Sequence, residues 1–171
     1  MNDEERFWVD FSEQEKRIAR DMNEKGREID AMFPTIRRTS MHYVLDENNV
    51  CVAVGLGTWC VWFEHDRKKV DGGRWRVARD EWDDASYGRV VVSTVFLGID
   101  HAFMEDSPRK LFETMVWWGW SKETQCSEQQ MWRYSTYDQA ARGQAHAVKL
   151  TRQFLAGAIT REQYDNDEEG T

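Results

Sequence analysis

Proline and cysteine are scarce in this 171-residue chain, with 2 and 3 copies. No apolar run approaches the roughly 18 residues that a membrane-spanning helix needs, so no membrane partner is expected. Against 2 Pro and 11 Gly stand 9 Trp, 8 Phe and 5 Tyr, a balance that excludes collagen-like, mucin-like and wholly disordered chains. Cys51, Cys60 and Cys126 are odd in number and contain no C-x-x-C pair, so neither a paired disulfide framework nor a thiolate zinc site is indicated. They read as reduced, mostly buried thiols. The opening Met1-Asn2-Asp3-Glu4-Glu5 is acidic where a secretory signal has positive charge and then an apolar stretch, so a cytosolic location is expected. The G-x-x-x-x-G-K-[ST], G-x-G-x-x-G and G-x-S-x-G motifs, the EF-hand loop and H-E-x-x-H are all absent, and no cofactor or metal is expected.

With 23 Lys and Arg against 31 Asp and Glu the net charge is −8, which repels a long phosphate backbone and argues against direct duplex DNA binding. The acid lies at the ends: residues 1–33 hold ten acidic and six basic residues, and residues 161–171 hold five and one.

What is present, 40% hydrophobic and 32% charged residues, fits one globular domain. Ser12 and Glu15 have capping-box spacing, and Ile18, Met22, Ile29, Met32 and Phe33 follow as an apolar stripe, predicting a helix over 13–33 stopped by Pro34. That stripe is expected to pack on the domain, with the acidic face free for a partner. Phe7, Trp8 and Phe11 either staple the helix start or dock on another chain. Met41–Leu45 and Val50–Val54 read as a hairpin around Asp46-Glu47-Asn48-Asn49. A short buried helix, capped by Thr58, runs through Trp59 and Phe63. Arg74–Asp80 reads as a half-exposed strand, Val90–Ile99 and Leu111–Trp118 as central strands apolar on both faces, and Met131–Ser135 as a shorter strand. Thr136 and Gln139 cap a last helix with Ala141, Ala145, Val148 and Leu155 on its apolar face, ended by Gly157. The order predicts an α+β domain: an antiparallel sheet of four to six strands, with an N-terminal and a C-terminal helix packed on it. Residues 1–34 form a helical extension, 35–157 the core and 158–171 a frayed acidic tail.

Four features bear on chemistry. Ser93 and Thr94 interrupt one central strand and Glu113 and Thr114 the other, so these polar groups meet across an antiparallel pair. A buried Glu113 needs a counter-ion, and Arg133 on the following strand is the expected one, as a register-fixing pair or as part of a site. Asp100-His101 could orient an imidazole as a general base but lacks the further ligands of a metal site. Trp117-Trp118-Gly119-Trp120 and Trp132-Arg133-Tyr134 supply rings and a guanidinium for an interface or for nucleobase stacking. Arg67-Lys68-Lys69 with Arg74, Arg76 and Arg79 is the local basic density, a solvated face or an anion patch.

Val92-Ser93-Thr94-Val95-Phe96-Leu97-Gly98-Ile99-Asp100-His101, Phe112-Glu113-Thr114-Met115-Val116 and Trp132-Arg133-Tyr134-Ser135-Thr136 with the helix after them resemble a widespread set of small uncharacterised proteins of bacteriophages and prophages. Their shared pattern reads V-S-T-V-F-L-G-x-D-H, E-T-M and R-Y-x-T, matched here over about residues 89–150. This chain departs from it in the loop Ala102–Lys110, where relatives tend to be glycine-rich, and in the helix before Pro34. The resemblance implies a viral origin and action in the cytoplasm of an infected bacterium, and it brings no activity with it. By analogy, small phage accessory proteins counter host defences by stoichiometric binding. The expected function is therefore that of a non-enzymatic inhibitor of a host defence protein, anti-CRISPR-like, with Trp118, Trp120, Trp132, Arg133, Tyr134 and Thr94 as binding residues. The alternatives are a nucleotide-binding sponge built on Trp132, Arg133 and Tyr134, a small enzyme using Asp100, His101 and Glu113, or a virion component. The oligomeric state is left open by the sequence.

Overall fold

Ser12 and Glu15 form the capping box that their spacing predicts. The Ser12 N–H donates to the Glu15 carboxylate at 2.8 Å and the Glu15 N–H to the Ser12 hydroxyl at 3.3 Å. This is seen in a computed structural model, which describes residues 11–32, 42–69, 73–100, 108–119 and 127–167. The class is α+β, with six antiparallel strands in a two-stranded and a four-stranded sheet flanked by helices. The chain divides into two units, Met1–Trp75 with Gly98–Asp100, and Arg76–Leu97 with His101–Thr171.

In the first unit α1 (Glu13–Met32) is followed by a hairpin of β1 (His42–Leu45) and β2 (Cys51–Val54), then α2 (Leu56–Arg67). The hairpin turn forms as the Asx residues predict: the Asp46 carboxylate accepts from the Asn48 and Val50 N–H groups, and Asn49 takes φ 60°. The expected packing stripe of α1 needs correction, because Ile18 is 44% exposed whereas Ala19 is fully buried. The cause is a close helix crossing. A Cβ on Gly57 would lie 2.5 Å from both the Ala19 carbonyl and the Met22 Cβ, so the contact selects the small residue. Ile29, Met32, Phe33, Phe7 and Trp8 lie outside the described side chains.

The expected Thr58 cap is also corrected. α2 starts after Gly55, which has no side chain to offer, and Thr58 lies inside the helix. The cap comes from Asn23 of α1. Its side-chain oxygen accepts from the N–H groups of Gly57 at 2.8 Å and Thr58 at 3.3 Å, while its NH2 donates to the Thr58 hydroxyl at 2.7 Å. Replacing Asn23 with Ala is expected to cost about 1–3 kcal/mol, since it orphans two buried donors and a hydroxyl at once. Urea unfolding followed by circular dichroism checks this, and a loss under about 0.5 kcal/mol would deny the cap.

The second unit is a meander of β3 (Arg76–Asp84), β4 (Gly88–Phe96), β5 (Phe112–Trp118) and β6 (Ser127–Tyr134), hydrogen-bonded in that order. β4 and β5 are adjacent and antiparallel as their two-faced apolarity predicts, with Thr94 opposite Thr114 and Val95 opposite Glu113. α3 (Tyr137–Leu155) starts at the predicted Thr136–Gln139 capping box and ends before Gly157, whose φ is 70°. Its buried residues are Ala140, Gly143, Gln144, Ala147, Leu150 and Thr151, so Ala141 and Ala145, expected inside, face solvent. Gly143 sets this face: a Cβ there would meet the Tyr134 phenol oxygen at 2.2 Å.

The expected frayed tail is corrected in its first half. Thr160 and Gln163 form another capping box for α4 (Arg161–Asp165). Tyr164 is fully buried and stacks on Phe154 with ring centroids 4.9 Å apart. Gln130 donates to the Tyr164 and Asp165 carbonyls at 3.2 and 3.3 Å, and Trp132 Nε1 donates to the Asp167 carbonyl at 3.2 Å. Burial pushes the Tyr164 phenol up to about 12. An ionisation raised above its unfolded value near 10 contributes stability that is fully present below that pH and lost as pH climbs towards 12, about 3 kcal/mol in all. Melting curves from pH 9 to 12 should therefore fall more steeply for the wild type than for Tyr164→Phe, and parallel curves would contradict the burial.

Candidate functional site

Strand alternation sorts the sequence-marked residues onto two faces of the four-stranded sheet. The face under α3 carries Asp80, Val92, Thr94, Thr114, Trp118, Trp132 and Tyr134, by the registers Asp80 with Val92, Thr94 with Thr114, and Thr114 with Trp132. The opposite face carries Ser93, Glu113 and Arg133.

Beneath α3 a hydrogen-bonded chain runs through the core. Gln144 uses its NH2 to donate to the Asp80 carboxylate at 2.7 Å and to the Val92 carbonyl at 3.1 Å. Its side-chain oxygen accepts from the Thr94 hydroxyl at 2.6 Å, which leaves the Thr94 oxygen to accept from the Thr114 hydroxyl. The direction of every proton is thus fixed by the two donors of one amide. Thr94, Thr114 and Gln144 are at most 3% exposed. The Tyr134 phenol lies beside them, and burial raises its pKa.

Sequence reasoning found Thr94, Thr114 and Tyr134 but missed Gln144 and Asp80. The available signal was a glutamine one helical turn after Ala140 and almost one before Ala147, on the face the small residues occupy.

The predicted Glu113–Arg133 pair is present. The two residues lie opposite each other, and Arg133 Nε donates to the Glu113 carboxylate at 2.9 Å, with 25% and 11% of the side chains exposed. Of the expected binding residues, Thr94, Trp132, Tyr134 and Trp118 are 0, 3, 4 and 9% exposed. They form core under α3 and present no ring face to solvent; Trp118 instead packs on Tyr87, Phe154 and Tyr164. Asp100 belongs to the first unit while Glu113 belongs to the second. His101 and Trp120 lie outside the described residues.

The basic density is spent locally. Lys68 pairs with Glu64 at 2.8 Å, and Lys69 and Arg74 approach the buried Asp66 at 3.3 and 3.9 Å. The guanidinium of Arg67 lies 5.6 Å over Trp75, and Arg79 bonds Glu81 at 3.0 Å. Among the described residues no group of three or more His, Cys, Asp or Glu side chains could hold a metal ion.

Chemically the arrangement is a lock. No described base is placed to activate Thr94 or Thr114, whose hydroxyls are committed to each other and to an amide. Comparisons with protein-family models, curated proteins and solved structures return no match. Gln144→Ala is expected to destabilise the protein by about 2–4 kcal/mol, because it removes the buried acceptor of the Thr94 hydroxyl and the amide that bridges Asp80 and Val92, and opens a cavity under α3. Gln144→Glu should cost a comparable amount, since a carboxylate cannot donate to Asp80. Thermal melts of both variants decide; if either melts with the wild type, the chain is not the lock described.

Proposed function

We propose that this chain is a non-catalytic, phage-encoded accessory protein that binds a host defence protein stoichiometrically inside the bacterium, in the manner of an anti-CRISPR inhibitor. The observation that carries the reading is how its polar groups are used. Among the described residues, two polar side chains set in the central strands are committed internally, Glu113 to Arg133 and Thr94 to Gln144. The net charge of −8 is carried by exposed acids such as Glu24, Glu47, Asp83, Asp138 and Glu162. A partner with a basic surface fits that excess, and electrostatic complementarity of this kind sets association rate and selectivity. The nucleotide-sponge reading draws no support from the geometry, since it needs Trp132 and Tyr134 accessible and they are 3% and 4% exposed. No described helix is long and apolar enough to cross a membrane.

The test is capture of tagged protein from host lysate, with partners quantified by mass spectrometry against the bait. One partner at near-equal molar amount, released as salt is raised, is the expected result. Glu113→Gln is expected to lower stability by about 1–2 kcal/mol, between the values of exposed and fully buried pairs, and to leave capture unchanged. The absence of a stoichiometric partner would sink the proposal, as would an activity abolished by Glu113→Gln at an unchanged melting temperature.

A further inference from the structure

β3 is an edge strand of nine residues, and among the described strands it is hydrogen-bonded to β4 alone. Its sequence is polar in a directional sense. Arg76 and Arg79 lie in the N-terminal half, and Glu81, Asp83 and Asp84 in the C-terminal half. An edge so charged resists pairing with most strands. One strand fits it, a copy of itself run antiparallel.

We infer that β3 is a dimerisation edge whose partner is β3 of a second copy of this chain. A two-fold axis normal to the sheet at Asp80 keeps like-facing side chains together, and it sets Arg79 opposite Glu81 of the copy twice over, once on each side of the axis. The same register sets Ala78 opposite Trp82, small against large, on the face that also carries Thr94 and Val90. Trp82 is already held by the Arg152 guanidinium, 4.5 Å from its ring centroid. Arg79 and Glu81, on the other face, are bonded to each other at 3.0 Å within one chain, and Glu81 also accepts from Arg89 at 2.6 Å. Pairing two edges joins these groups into one alternating row of charges. The β3 edge and the four-stranded sheet behind it then become half of an eight-stranded sheet.

The register carries one repulsive contact, Asp80 against Asp80 at the axis. Each carboxylate is drawn towards its own core by the Gln144 NH2, 2.7 Å away. That contact gives the inference a signature that a generic sticky edge lacks, because removing the axial charge should tighten the dimer.

The test is sedimentation equilibrium of the full chain over a concentration series. The wild type should dimerise, more weakly as salt is raised. Arg79→Glu and Glu81→Arg should each raise the dimer Kd about tenfold or more by facing like charges across the axis. The double exchange Arg79→Glu with Glu81→Arg, which restores complementarity, should return Kd to near the wild-type value. Asp80→Asn, which keeps an oxygen for Gln144, should lower it severalfold. Circular dichroism melts confirm that each variant is folded, and the double exchange serves as a second variant should a single one fold poorly. A wild type that stays monomeric to about 1 mM, the concentration of the weakest useful association, overturns the inference. So does a dimer indifferent to Arg79→Glu and its reversal. The result is independent of whether a host partner is captured.

Discussion

A carboxamide enclosed in a protein has two donors and an oxygen to satisfy, and the second unit is organised around one that finds partners for all three. Gln144 binds Asp80 of β3, the Val92 carbonyl of β4 and, through Thr94, the hydroxyl of Thr114 on β5. Three strands are thereby referenced to one residue of α3. With α3 so placed, Gly143 faces Tyr134 and His146 bonds Asp167 at 2.7 Å, which helps seat the C-terminal segment. The first unit uses the same device, with Asn23 of α1 closing the open N-terminus of α2. Apolar burial is the larger energy in both cases, but it is non-directional and tolerates a rotated or sliding helix. A satisfied amide does not, because each partner lost leaves a buried donor or acceptor unpaired.

This explains which parts of the structure the sequence discloses. Period-two alternation makes the central strands legible, and with them the Thr94–Thr114 and Glu113–Arg133 contacts, since a polar residue interrupting an apolar strand must be answered by its cross-strand neighbour. The capping boxes at Ser12 and Thr136 are legible because both partners lie within one turn. The inward face of α3 is not. Its candidates are mostly alanines, whose small apolar area distinguishes one face weakly from the next, and the choice falls to Gly143 and Gln144 through contacts with distant strands. The Asn23 cap is hidden for a similar reason, as donor and acceptor are 34 residues apart. In the C-terminal segment, five acids conceal one tyrosine whose burial decides that residues 161–165 fold. The binding surface expected from Trp118, Trp132 and Tyr134 was read from residue type, which cannot tell an aromatic under a helix from one in solvent.

The abundance of tryptophan has the same explanation. Splitting a chain of 171 residues into two units leaves each with few core positions. Large rings enclose much area per position, as Trp62 does in the first unit and Trp118 and Trp132 in the second. Cations are then drawn onto ring faces and buried acids: Arg67 onto Trp75, Arg152 onto Trp82, and Lys69 towards Asp66. Each such contact gives a cation a local partner, although Arg67 and Arg152 remain exposed, and the acidic excess is one of number, 31 against 23.

Net charge and the order of charges along a strand act at different ranges. A diffuse acidic exterior acts through its summed field, which falls off over a Debye length of about 8 Å at physiological salt and selects for partner charge without fixing geometry. β3 acts over contact distances, where the order of its charges matters more than their sum. Arg79 and Glu81 nearly cancel in the far field, yet within one strand spacing their sequence dictates which strand can approach and in which direction. A chain can therefore carry a strong net charge for one partner and an edge of ordered charges for another, because the two are read at different distances.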